Sequence, residues 1–169
     1  MVESVTSVFT GGETSESATE VLKADHDKVD KLFQKVKANE DGNNKDTFEK
    51  IKAELEVHTH IEEQVFYPFL LERGDEELQN IVREGIEEHG QVKTLLPEIA
   101  ALSGDDDEFK AKLKVLIEDV EHHVQEEEGE LFPMVKDQID SKELTRVGSL
   151  LKAEKARFDG TSSSRSASA

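Results

Sequence analysis

The sequence predicts an all-α fold, an up-down-up-down four-helix bundle with a short additional C-terminal helix and disordered tails. Three observations predict it. Apolar residues recur every three or four positions from about residue 17 to residue 157. No stretch sustains the period-2 alternation of a strand. The chain also repeats itself, which pairs its helices into two similar hairpins. The composition agrees: of 169 residues 35 % are hydrophobic, 5 % aromatic and none tryptophan, lean for a sheet protein and ordinary for a charged bundle.

Each element follows in order. Residues 1–16 hold a Gly/Ser/Thr/Glu-rich stretch without periodicity and are expected to be flexible. The first helix is predicted over about Ser17 to Ala38, with Leu22, Val29, Phe33 and Val36 on one face, and stops at the polar run from Asn39 to Asn44. The second, about Asp46 to Glu72, carries Phe48, Ile51, Leu55, Val65 and Phe69. The third, about Asp75 to Leu102, carries Leu78, Val82, Ile86, Val92, Leu96 and Ile99. The fourth, about Asp105 to Asp137, carries Phe109, Leu113, Leu116, Val120, Leu131 and Met134. The breaks at Arg73-Gly74 and Ser103-Gly104 are short, which favours antiparallel neighbours. A fifth helix, about Ser141 to Arg157, packs on the bundle through Leu144, Val147, Leu150 and Leu151. Residues 17–158 thus form one domain, and the low-complexity end, 159–169, is expected to be a disordered tail.

Charge and composition exclude several functions. With 39 acidic against 21 basic residues the formal charge is −18, which repels nucleic acid and anionic membranes. There is no cysteine, hence no disulfide and no thiolate; a metal would have to be held by His and carboxylate. No apolar run approaches a membrane span, and residues 1–10 lack the basic and apolar regions of a secretory signal, so a cytoplasmic protein is expected.

Following each apolar stripe through its middle is the informative step. In the second helix the stripe reads Leu55, His58, Glu62, Val65; in the fourth it reads Val120, His123, Glu127, Leu131. The first helix places His26 between Leu22 and Val29, and the third places His89 between Gly85 and Val92. Four imidazoles and two carboxylates therefore point where Leu or Val should point. A lone core histidine is ordinarily a neutral, hydrogen-bonded residue. Two core glutamates cost several kcal/mol unless they are paired, neutralised by a raised pKa or bound to metal. No basic residue interrupts any of the four stripes, so metal is the better explanation.

The repeat sharpens the geometry. His26 corresponds to His89, 63 residues on, while His58 with Glu62 corresponds to His123 with Glu127, 65 residues on. A His and a Glu four apart share one helical face about a turn apart. Two such helices predict two ions, bridged by Glu62 and Glu127 and about 3.5 Å apart. His26 then pairs with His58 on one ion, and His89 with His123 on the other.

A lone His followed by His-x-x-x-Glu-Glu and an aromatic-Pro pair (Tyr67-Pro68, Phe132-Pro133), repeated once, resembles the hemerythrin HHE cation-binding family over about Val21 to Val135. The resemblance implies a non-haem centre of two iron ions bridged by carboxylates and an oxo or hydroxo group, on His26, His58, Glu62, His89, His123 and Glu127. The donor types alone also suit manganese or zinc. Ferritin-like bundles use Glu-x-x-His instead, so they are the more distant comparison. Oxygen-carrying members have a second His one turn before the third-helix ligand, where this chain has Gly85. That departure leaves the ion of His89 and His123 one protein ligand short and argues against a carrier role.

Other residues are read as follows. Tyr67 is expected to pack at a helix end, with metal ligation the lesser alternative. His60 and His122 are expected at the surface, and Glu63 and Glu128 on solvated faces or hydrogen-bonded to a ligating imidazole. Gly85 makes room for a ligand or for close helix packing. Three functions fit: uptake of O2, NO or iron for sensing or storage; an enzyme acting on peroxide or O2; and a purely structural metal site. The expected partner is a small diatomic molecule or peroxide, with no nucleic acid and no membrane.

Overall fold

The computed structural model describes residues 15–166; residues 1–14, most of the segment expected to be flexible, and 167–169 lie outside them. Every regular element among the described residues is helical: α1 (Ala18–Lys37), α2 (Lys45–Ile61), the π-helical turn π1 (Glu62–Phe66), α3 (Tyr67–Arg73), α4 (Glu76–Ala100), α5 (Asp107–Glu126), the turn π2 (Glu127–Leu131), α6 (Phe132–Gln138) and α7 (Ser141–Ser166). α2, π1 and α3 run on as one long rod, as do α5, π2 and α6.

Local chemistry sets the ends. Ser17 caps α1 in a capping box with Glu20, and Asp75 caps α4 by accepting from the Leu78 amide at 3.0 Å. At the other end of α4, Lys45 Nζ donates to the carbonyls of Ala100 (2.7 Å) and Leu102 (2.8 Å), groups a helix C-terminus leaves without partners.

The four rods form a closed square: α1 packs on α2, α2 on α4, α4 on α5, and α5 on α1. The contacts Lys28–Glu54 beside His26–His58, and Lys112–Glu98 beside His89–His123, run in opposite chain directions, as antiparallel neighbours require. The fifth helix, α7, lies across α1 and α2 and buries Leu144, Val147 and Leu151, whereas Leu150, expected to pack with them, lies off their three- and four-residue spacing and is exposed. Gly148 allows this, because a Cβ there would stand 2.2 Å from the Glu16 carbonyl oxygen and 3.0 Å from the Ala18 nitrogen. α7 passes the expected end near Arg157 and remains helical to Ser166, so the first part of the expected tail continues the helix. No proline follows Arg157 to interrupt the hydrogen-bond ladder.

The interior divides into two apolar clusters. One, around Leu22, Ile61, Phe66, Leu70, Leu78 and Phe132, is shared with α7. The other, around Phe33, Phe48, Ile51, Leu96, Phe109 and Leu116, fills the opposite end. Between them lies a layer of buried polar side chains.

The π turns correct the expected stripes. Each inserts one extra residue into its rod: the Tyr67 amide bonds back to the Glu62 carbonyl, and that of Phe132 to Glu127, five residues rather than four. The buried face beyond Glu62 therefore moves on by one position, to Phe66 and Leu70, while Val65 and Phe69 are only half-buried. In the fourth rod Val135 is buried where Met134 was expected. Pro68 and Pro133 sit just beyond the turns, where the wider coil removes the clash of a proline ring with the preceding turn.

Candidate metal centre

All six predicted site residues meet in the polar layer. His26, His58, Glu62, His89, His123 and Glu127 are each at most 6 % exposed, and Glu62 is fully buried. They form two groups of ion-holding geometry that share Glu62: His26, His58, Glu62 and Glu127, and Glu62, His89 and His123.

Every imidazole turns its Nε2 inward. The Nε2 atoms of His26 and His58 lie 3.2 Å apart, as do those of His89 and His123. The carboxylates stand between these pairs. Glu62 places Oε1 3.3 Å from His58 Nε2 and Oε2 3.1 Å from His89 Nε2. Glu127 places Oε2 3.1 Å from His26 Nε2 and Oε1 3.5 Å from His123 Nε2. Both glutamates thus span the two histidine pairs. That each of them starts a π turn ties the local irregularity to the centre.

The outward nitrogens meet a ring of acids. His26 Nδ1 lies 2.9 Å from Glu128, His58 Nδ1 3.4 Å from Asp25, His89 Nδ1 3.1 Å from Glu63, and His123 Nδ1 2.5 Å from Glu88. Donation from Nδ1–H leaves each Nε2 lone pair free for the interior, the tautomer a metal ligand requires. Glu63 and Glu128, left open between solvent and an imidazole, take the imidazole. Asp25 and Glu88 were missed. Their signal was the acidic residue immediately before the single His in both halves of the repeat.

The site also shows why its groups need a cation. Glu62 Oε1 and Oε2 and Glu127 Oε2 are buried without a hydrogen-bond partner, a costly state for an ionised carboxylate. Burial opposes charge on His58, but Glu62, Asp25 and Glu127 outweigh it and lift its pKa to about 10. Burial likewise opposes charge on His89, and Glu62 and Glu63 lift it to about 9. Glu62 is held well below the ordinary carboxylate range, its burial outweighed by His58 and His89. Without an ion, protons on the imidazoles do the work of cations. The donor set of imidazole nitrogens and unpartnered carboxylate oxygens fits a pair of divalent ions of the iron, manganese or zinc type.

Tyr67 belongs to this centre rather than to a helix end. It is 1 % exposed, and its hydroxyl donates to Glu127 Oε1 at 2.7 Å while lying 3.4 Å from His89 Nε2 and 3.5 Å from His123 Nε2. The extra residue of π1 rotates it inward. Gly85 provides the space, since a Cβ there would come within 3.0 Å of the Tyr67 hydroxyl and 3.4 Å of His123 Cε1. In the other half of the repeat Phe132 takes the place of Tyr67 and stacks on His26 with ring centroids 5.8 Å apart. His60 lies outside the layer, 2.7 Å from Glu154 on α7, and His122 is exposed and paired with Glu126 at 3.1 Å.

A four-helix bundle with a buried layer of four histidines and two bridging glutamates defines a helical cation-binding protein. The chain belongs to the hemerythrin HHE cation binding domain family, whose sequence profile matches residues 17–135. Its fold is similar to that of a hemerythrin HHE cation binding domain-containing protein from Mycobacterium kansasii, with a TM-score of 0.72 at 24 % identity over 86 % of this chain and 89 % of that one. A relative from Nostoc sp., named DNA nickase, is 29 % identical over 141 residues, 82 % of this chain. The chain spans 39 % of that relative's length. Among the described residues no helix is long and apolar enough to cross a membrane.

Proposed function

We propose that the protein is a non-haem di-iron protein that takes up a small ligand, O2, nitric oxide or iron itself, for sensing or storage. One ion would be held by His26, His58, Glu62 and Glu127, the other by Glu62, His89 and His123. The observation that carries the reading is the set of three buried, unpartnered carboxylate oxygens facing four inward Nε2 atoms. Such a pair of iron ions would supply one-electron redox chemistry and Lewis acidity toward a small molecule. The chain's own contribution is orientation: the outer acids fix each imidazole, and Tyr67 holds a proton at its hydroxyl against Glu127.

Elemental analysis tests the reading. Protein grown with iron should carry two ions per chain, Glu62→Ala fewer than one, and an iron-free product after reconstitution would overturn it. A purely structural site would show itself if iron raised the melting temperature but left the protein inert to O2, nitric oxide and peroxide.

The Tyr67 hydroxyl favours a second reading, an enzyme acting on peroxide. It is a proton donor set within the centre, where the matching Phe132 has none. Conversion of two hydrogen peroxide molecules to O2 and two waters needs such a group to return protons. Steady O2 evolution that falls at least tenfold in Tyr67→Phe, with iron content unchanged, supports this reading; the absence of turnover in the iron-loaded wild type removes it. Neither reading extends to DNA cleavage, because the charge of −18 opposes approach to a phosphate backbone.

A further inference from the structure

A cavity of about 340 Å3 adjoins the polar layer on the side away from Tyr67. Its roof is the four imidazoles, and none of Glu62, Glu127 and Tyr67 lines it. Its walls are apolar: Val29, Phe33, Leu55, Val92, Val120 and Val124. Its exposed lining residues lie on α1 and α5, so it opens along the seam between them.

The size is the first argument. A diatomic molecule or peroxide would fill a small part of this space. An engineered core cavity of about 150 Å3 holds benzene, so the volume here suits an organic molecule of roughly a dozen non-hydrogen atoms. A chiefly apolar pocket with a few convergent polar groups at one end is the usual form of a small-molecule site.

The second argument is charge. Asp27, Asp30, Glu121 and Glu128 ring the opening. Among the described residues two lysines form ion pairs with these four carboxylates, Lys23 at 2.9 Å from Asp27 and 3.9 Å from Glu128 and Lys37 with Glu121, while Lys31 acts on Asp27 from further off. Asp30 accepts only from the neutral Gln34, at 3.2 Å. The rim is therefore net negative on a chain of charge −18 and disfavours anions.

We propose that this cavity binds an uncharged organic molecule with an apolar body and a single oxygen-bearing head, such as a medium-chain alcohol or organic hydroperoxide, its head against the imidazole edges and its body among the valines. The proposal rests on the metal-centre reading for the position of the head, and it names the ligand class of that centre.

The test uses the full chain loaded with zinc, which is spectroscopically silent, its zinc content measured first. Methyl resonances are followed by NMR on addition of 1-hexanol, and separately of hexanoate. Saturable shifts of the Val29, Leu55, Val92 and Val120 methyls by hexanol, with at least tenfold weaker binding of hexanoate, are expected. Val120→Phe should abolish binding by filling the cavity, and Val124→Phe, at a half-buried position, does the same should the first variant not fold. Asp27→Asn with Asp30→Asn should narrow the preference for hexanol over hexanoate. Hexanol shifts that do not saturate, or that survive both filling variants, overturn the proposal. Failure to hold zinc overturns the metal-centre reading instead, and hexanol binding to the zinc-free chain would then stand on its own.

Discussion

Tyr67 and Gly85 act as a pair. The hydroxyl occupies the space that the missing Gly85 side chain leaves, 3.0 Å from where a Cβ would stand. Gly85→Ala removes a flexible residue from a helix, a gain of about 0.5–1 kcal/mol, but presses on an oxygen held by Glu127. In Tyr67→Phe that oxygen is gone. The two substitutions are therefore expected to couple favourably, with Gly85→Ala better tolerated by about 1 kcal/mol in the Tyr67→Phe background. A double-mutant cycle of urea unfolding midpoints measures it, and strict additivity would separate the two residues. Room at Gly85 and a lesser role at the metal for Tyr67 were legible in the sequence as separate readings, but their pairing was not. A single tyrosine beside a proline reads as packing, and only the extra residue of π1 turns its ring to the centre.

At the scale of elements, the six convergent side chains were legible because polar residues interrupt otherwise continuous apolar stripes, and the repeat shows the interruption twice. Beyond the glutamates the stripe was legible only at Leu131, which is buried as expected, and not at Val65, Phe69 and Met134. A π turn shifts the register by one residue without breaking the helix, and no gap in the periodicity marks it. Two glycines inside helical segments show how position decides an outcome. A Cβ on Gly129, in π2, meets nothing within 4 Å, so Gly129→Ala is expected to stabilise the fold by about 0.5–1 kcal/mol through reduced backbone freedom in the unfolded chain. The same substitution at Gly148 drives a methyl group into the backbone at Glu16 and Ser17 and is expected to cost about 1–3 kcal/mol as α7 is pushed off α1. Thermal melting of the two variants should show shifts of opposite sign.

For the whole molecule, the charge balance of the centre links stability, metal and pH. His58 and His89 titrate near 10 and 9 in the ion-free fold, above their ordinary value of 6.5. Their contribution to stability is complete below pH 6.5 and lost as pH rises through 9 to 10. Glu62, held low, contributes above its ordinary value of 4.5 and loses that contribution as pH falls well below it. Ion-free protein is thus expected to melt at a lower temperature at pH 10 than at pH 6.5, while loaded protein shows a smaller drop. Because ligands must be neutral imidazoles, loading at pH 7.5 should release protons, seen by calorimetry in two buffers of different ionisation enthalpy. The two halves of the centre are not equivalent. Lys155 of α7 grips Asp25, which in turn faces His58 Nδ1, whereas the opposite Glu88 faces His123 Nδ1 with the exposed His122 near it and, among the described residues, no lysine paired to it. A lysine drawing on that acid weakens its pull on the His58 proton and makes His58 the poorer electron donor, and Lys93, 2.8 Å from both oxygens of Glu63, does the same to His89 in the other half. Iron added at one equivalent should therefore shift toward the His58 seat in Lys155→Met and toward the His89 seat in Lys93→Met, each lysine restraining its own half.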